Sequence, residues 1–210
     1  MTSRKQHGYS LVELMLVVTI ILILAGVTDV SLQPVLKLEH VTTAFNLTIS
    51  ALRRARDQAV SDNQIYVVSF STANQVAPLP NGGAITVNQT TTAGTQLFSW
   101  TLPSDVTFNV EPNVPTSQNV APTTPDAFGT AVNAIDFDWG PNGVGGGTTV
   151  YFYPDGTARD VNGNINNGIV YMGVPGVTQT GHAVTLWGFT GRIRGWQIYP
   201  AGASWNWVQQ

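Results

Sequence analysis

The chain has 210 residues, no cysteine and a formal charge of −3. Without cysteine no disulfide can form, so an exported domain must rely on burial and hydrogen bonding. From Asn63 onward three arginines (Arg159, Arg192, Arg194) stand against seven acids, leaving −4, which excludes a general polyanion binder.

The first element is a short polar leader, Met1 to His7, that carries Arg4 and Lys5 and ends at Gly8. An apolar run follows from Tyr9 to Thr28, and its only charge is Glu13. Twenty helical residues span about 30 Å, the hydrocarbon thickness of a bilayer. The run therefore predicts one membrane-spanning helix, with Arg4 and Lys5 on the cytoplasmic side. It is not an ordinary secretory signal, because it is too long and no small-residue cleavage site follows it. Glu13 is the anomaly. A carboxylate in such a helix costs about 2.5 kcal/mol or more on insertion scales, so it needs a partner or a function.

Helical periodicity continues beyond the run. Val35, Leu38, Val41, Phe45, Ile49, Leu52, Ala55 and Ala59 recur at three- and four-residue steps, while Lys37, Glu39, Arg53, Arg54 and Asp57 fall off that stripe. This predicts an amphipathic continuation ending near Asp62-Asn63. Pro34 removes a backbone donor and predicts a bend or a local opening. The period then changes to two. Strands are expected at 64–70, 84–88, 96–102, 106–110, 134–139, 149–153, 169–173, 183–189, 192–199 and 204–208. The stretch Glu111–Thr130, rich in Pro, Thr, Asn and Ser, reads as a long mobile surface loop. The fold class is α+β: a long N-terminal helix followed by an antiparallel β-domain. The expected divisions are a leader at 1–8, a membrane-spanning part at 9–28, an amphipathic part at 29–62 and a β-domain at 63–210.

The stretch GYSLVELMLVVTIILILAG resembles the class III signal of type IV pilins and type II secretion pseudopilins. The resemblance implies that prepilin peptidase cuts between Gly8 and Tyr9 and methylates the new amino terminus on Tyr9. It implies also that Glu13 neutralises the amino terminus of a neighbouring subunit inside a filament, where water cannot. The expected partners are that peptidase, other pilin or pseudopilin subunits and inner-membrane lipid. The expected location is the inner membrane, single-pass, with the C-terminal domain in the periplasm and later in a filament.

Two motifs near the end refine this. Phe152-Tyr153-Pro154-Asp155-Gly156-Thr157 reads as a strand entering a tight turn. Gly191-Arg192-Ile193-Arg194-Gly195-Trp196 lies on the second strand of a hairpin turned at Thr190-Gly191, which puts Arg192, Arg194 and Trp196 on one face. Both patterns resemble the GspH/FimT group of minor pseudopilins and minor pilins. That resemblance implies a minor filament subunit. The alternative it implies is a FimT-like minor pilin that binds DNA through Arg192 and Arg194, with Trp196 stacking on a base. The competing reading pairs both arginines with acids of their own domain, such as Asp136 or Asp138.

The remaining chemistry is sparse. Asp160-Val161-Asn162-Gly163-Asn164 opens like a calcium loop, but Ile165 stands where glycine is required and Tyr171 where a glutamate is required, so a turn is expected. His40 and His182 are the histidines left after the leader, and no nucleophile elbow, phosphate loop or zinc spacing occurs. No catalytic residue, metal or cofactor is expected. The pair Asp136 and Asp138 shares a strand face and is expected to be solvated.

Overall fold

The computed structural model describes residues 9–71, 84–89, 96–112, 114–115, 126, 128, 133–139, 146–202 and 204–210, without the side chains of 27–32, 84, 96, 138 and 139. Gly8 and the side chain of Asp138 thus lie outside the described residues. One helix, α1, runs from Leu11 to Asp62 and includes Pro34 without interruption, so the local opening expected there is not seen. The chain divides into two compact units, Met1–Leu36 and Lys37–Gln210.

The second unit holds two antiparallel sheets. The first contains β1 (Tyr66–Ser71), β2 (Ala84–Gln89), β3 (Gln96–Thr101), β5 (Thr149–Phe152) and β6 (Ala158–Arg159), ordered β3-β2-β1-β5-β6. The second contains β4 (Ile135–Trp139), β7 (Asn167–Met172), β8 (His182–Trp187), β9 (Arg192–Ala201) and β10 (Ser204–Gln209), ordered β10-β9-β8-β7-β4. Nine of these follow the expected strands within a few residues. The expected strand at 106–110 does not form. Its Thr107 makes one bridge to Gly173, while Val106 and Phe108 are buried as a cap. The two-residue β6 was not anticipated.

From Val41 onward the apolar stripe of α1 packs as its spacing predicts, whereas Val35 and Leu38, also on that stripe, are exposed. Val41, Ala44, Phe45, Ala51, Leu52, Ala55 and Ala59 are buried in one cluster with Val68, Phe70, Val150 and Phe152 of the first sheet and Val170, Met172, Val184 and Ile193 of the second. Small alanines on one side let the sheets approach the helix closely. Helix α1 ends in a left-handed residue, Asn63 (φ 54°), and the Gln64 amide donates back to the Ala59 carbonyl at 3.2 Å. Both features mark a Schellman-type stop. The Tyr66 hydroxyl then donates to the Asp62 carboxylate, and burial with that neighbouring charge pushes the Tyr66 phenol up to about 12.

A second cluster lies on the other face of the second sheet. Ile169, Tyr171, Ala183, Ile198 and Trp207 pack there with Val114 and Phe128 from the 111–130 stretch. With both faces covered, every residue of β7 is buried. The described part of that stretch is therefore not the mobile surface loop expected from its composition. Glu111, Val114 and Phe128 are buried. Asn109 Nδ2 donates to Glu111 Oε1 at 2.8 Å, and the Gly176 amide donates to Oε2 at 3.0 Å. Asp136 is likewise buried, not solvated, because β4 turns it inward beside β7.

His182 opens β8, only 2% exposed, with its ring 4.9 Å from that of Phe45 and Nδ1 2.8 Å from the Thr180 carbonyl. Burial depresses its protonation, and the Thr180 carbonyl opposes this only in part. A depressed folded-state value means that the unfolded chain takes up the proton first. Stability is expected to fall as pH drops below about 6.5, with a limiting slope of about 1.4 kcal/mol per pH unit. Denaturant melts of wild type and His182→Gln over that range check this. The variant should lose that component of the slope, and an unchanged slope would refute the assignment.

Candidate functional site

The first candidate site is the start of α1, taken by itself. Every large apolar side chain from Tyr9 to Leu24 is exposed, Tyr9 at 84% and Leu14 at 61%. The described side chains of this run end at Gly26, and among the described residues no helix is long and apolar enough to cross a membrane. Glu13 is exposed in the first turn of the helix. There the unpaired backbone amides favour a negative charge. Glu13 is thus compatible with the local helix and open to a partner. The large apolar side chains around it are exposed as well.

The second candidate site is built on β9. Alternation along the strand sends Ile193 and Gly195 toward α1, and Arg192, Arg194 and Trp196 to the opposite face. All three were expected on one face, and the structure brings them together there. Both arginines pair with Asp126, which sequence reasoning missed, while the side chain of Asp138 lies outside the described residues. Arg192 Nη2 donates to Asp126 Oδ2 at 3.0 Å, and Arg194 Nη1 donates to the same oxygen at 2.7 Å. Thr185 Oγ1 donates to Asp126 Oδ1 at 3.1 Å and accepts from Trp196 Nε1 at 2.9 Å. Asp126 is 11% exposed, whereas the two arginines are 38% and 33% exposed. One nearly buried carboxylate thus gathers two guanidiniums and, through Thr185, the indole.

The neighbouring Phe128 completes the arrangement. Its ring meets Trp196 edge-on at 5.2 Å and stacks on Trp207 at 5.5 Å. Tyr171 Oη donates to the Phe128 carbonyl at 2.6 Å, and Trp207 Nε1 donates to the Pro115 carbonyl at 2.9 Å. Burial first, and then the Asp136 charge, push the Tyr171 phenol well above its usual range, so it stays a donor. Trp196 is therefore held at the edge of a packed aromatic group and is not a free stacking platform.

Two turns of the second unit hold the carboxylates of Asp155 and Asp160. At Asp155 the Thr157 hydroxyl, with help from its amide and from Arg159, holds the carboxyl below its ordinary range against the effect of burial. At Asp160 burial raises the carboxyl, but donors from Asn164, Asn162 and Gly163 outweigh it. The Asp160 oxygens accept from the Asn162 and Asn164 amides and from Asn164 Nδ2 within their own turn. No group of three or more metal-ligating side chains occurs among the described residues.

Residues 3–28 match the family described as the prokaryotic N-terminal methylation motif. No curated protein matches the chain. Among solved structures, the chain is similar to the type IV minor pilin FimU of Pseudomonas aeruginosa (strain PAO1). That similarity has 15% identity and a TM-score of 0.41, covering 77% of this chain and 90% of that one. A similarity of that size is too low to decide function.

Proposed function

We propose that this type IV pilin-like chain is a minor pilin or pseudopilin. Prepilin peptidase cuts it after Gly8 and methylates Tyr9. Residues 9–28 then anchor it in the inner membrane as a single pass, with the β-domain in the periplasm, until it enters a type II secretion pseudopilus or a type IV pilus-like filament. The observation that carries this reading is the exposed apolar start of α1 with Glu13 as its lone charge, inside the methylation motif. A helix end of that kind has no use in an isolated protein and points to a structural subunit, not an enzyme. Mass spectrometry of membrane-extracted protein tests it. The expected amino terminus is N-methyl-tyrosine at residue 9, whereas an intact Met1 would remove the reading.

DNA capture by Arg192 and Arg194 is the second reading, favoured by their common face with Trp196. Asp126 weighs against it by drawing both guanidiniums to one carboxylate. Two arginines neutralise about two phosphates, so binding would be weak and salt-sensitive. A gel shift with the wild-type chain at about 20 mM salt decides the point. Retardation lost in Arg192→Gln/Arg194→Gln supports DNA capture, and no retardation by the wild type removes it.

A further inference from the structure

The outward side of α1 carries a charge pattern opposite to that of the β-domain. Within one and a half turns stand Arg53, Arg54 and Arg56 against the single acid Asp57. Arg54 is occupied, with its guanidinium 3.4 Å above the Phe98 ring. Arg56 is also occupied, since its Nε donates to the Gly156 carbonyl at 3.3 Å. Arg53 is different. It is exposed, and among the described residues it makes no hydrogen bond or ion pair, not even with Asp57 one turn further along.

Arg53 lies where two clefts meet. One, of about 530 Å³, is lined by Arg53, Arg56, Asp57, Arg192 and the Thr190-Gly191 turn. The other, of about 540 Å³, runs along the helix past Arg54 and Gln58. The Arg192 guanidinium is turned to Asp126 on the other face of β9, so Arg53 and Arg56 stand here against Asp57, a local surplus of one positive charge. The donors of this concave surface outnumber its acceptors, so an incoming oxyanion gains charge-assisted hydrogen bonds.

We propose that this cleft, centred on Arg53, receives a side-chain carboxylate from the adjacent subunit of the filament. The proposal rests on the filament reading above. The chemistry favours a single carboxylate on a protein over a nucleic acid. The β-domain beside the cleft has a charge of −4 and Asp57 stands inside it, so a polyanion is repelled. A neighbour built like this chain offers an acidic β-domain to a basic helix face, which is complementary.

The chain has two lysines, Lys5 and Lys37, and the first leaves with the leader. Arg53→Lys therefore places one new, assignable amine in the cleft of the full-length protein. Carbodiimide treatment of the filament fraction is expected to join the amine introduced at position 53 to an Asp or Glu of another chain, identified by peptide mass spectrometry. No cross-link from position 53, or one only to its own Asp57, overturns the proposal. Arg53→Glu provides a second measurement. Its recovery in filaments should fall about tenfold at normal membrane abundance, the scale of one repelled interfacial charge. Unchanged recovery overturns the proposal too. DNA retardation by the wild type that is lost in Arg53→Gln would assign the cleft to phosphates instead. If the wild type never enters the filament fraction, the filament reading itself fails, and this contact with it.

Discussion

Glu13→Ala is expected to abolish incorporation into filaments while leaving insertion and leader removal intact. The carboxylate stands in the first turn of α1, exposed among Leu11, Val12, Leu14 and Met15, which are exposed as well. In a monomer at the membrane edge its loss costs nothing. It even favours insertion by about 2.5 kcal/mol on insertion scales. In a packed bundle of such helices the neighbour's positive amino terminus would then lie without a partner where water is excluded. Breaking a buried pair in this way costs about 3–5 kcal/mol, a factor of a hundred or more in assembly. Membrane fractions should contain processed protein at wild-type levels, and sheared filaments should contain almost none. Normal incorporation would refute the role assigned to Glu13.

Gly195→Ala is expected to destabilise the β-domain by overpacking the seam between α1 and the second sheet. Gly195 sits on β9 directly beneath the Phe45 ring, and an added Cβ would overlap Phe45 and come within 2.8 Å of Ile49 Cδ1. Phe45 is 6% exposed and also packs on His182, so it cannot step aside freely. Overpacking of this kind costs about 1–3 kcal/mol. In a domain of this size that lowers the melting temperature by roughly 2–4 °C per kcal/mol. Phe45→Leu in the same chain should recover part of the loss, since the two residues share one space and their effects cannot add. Purely additive effects would show that the contact does not limit the approach of α1 to the second sheet.

The sequence displays those parts of the fold that repeat. The stripe from Val41 to Ala59 and the alternation of Arg192, Ile193, Arg194 and Gly195 are periodic, and both sit as their periods require. The 106–110 segment shows the limit. Val106 and Phe108 are as apolar and strand-like as their neighbours in β1, yet they cap a core edge through a single bridge. Asp126 shows it more sharply. It lies in a stretch rich in Pro and Thr with no period, 66 and 68 residues before the arginines it binds. Nothing local distinguishes it from a solvated loop aspartate, and only the folded chain brings it to β9. Phe128 offered a weak signal, as a lone aromatic in a polar run. The Glu13 anomaly needed no three-dimensional help, because a charge in an apolar run is conspicuous by itself.

Arg56 joins segments of both sheets. Its guanidinium touches the carbonyl of Gly156, from the turn between β5 and β6 of the first sheet. It also lies against Gly191, a left-handed residue (φ 60°) in the β8–β9 turn of the second sheet. Gly191 approaches the Gly156 carbonyl so closely that no side chain fits there. Three segments separated by 100 and 35 positions thus meet at a junction that none of them can form alone. Such closure is non-local, and its entropic cost falls due before its contacts form. The β-domain should therefore refold slowly and in one cooperative step, with neither sheet persisting when α1 is detached.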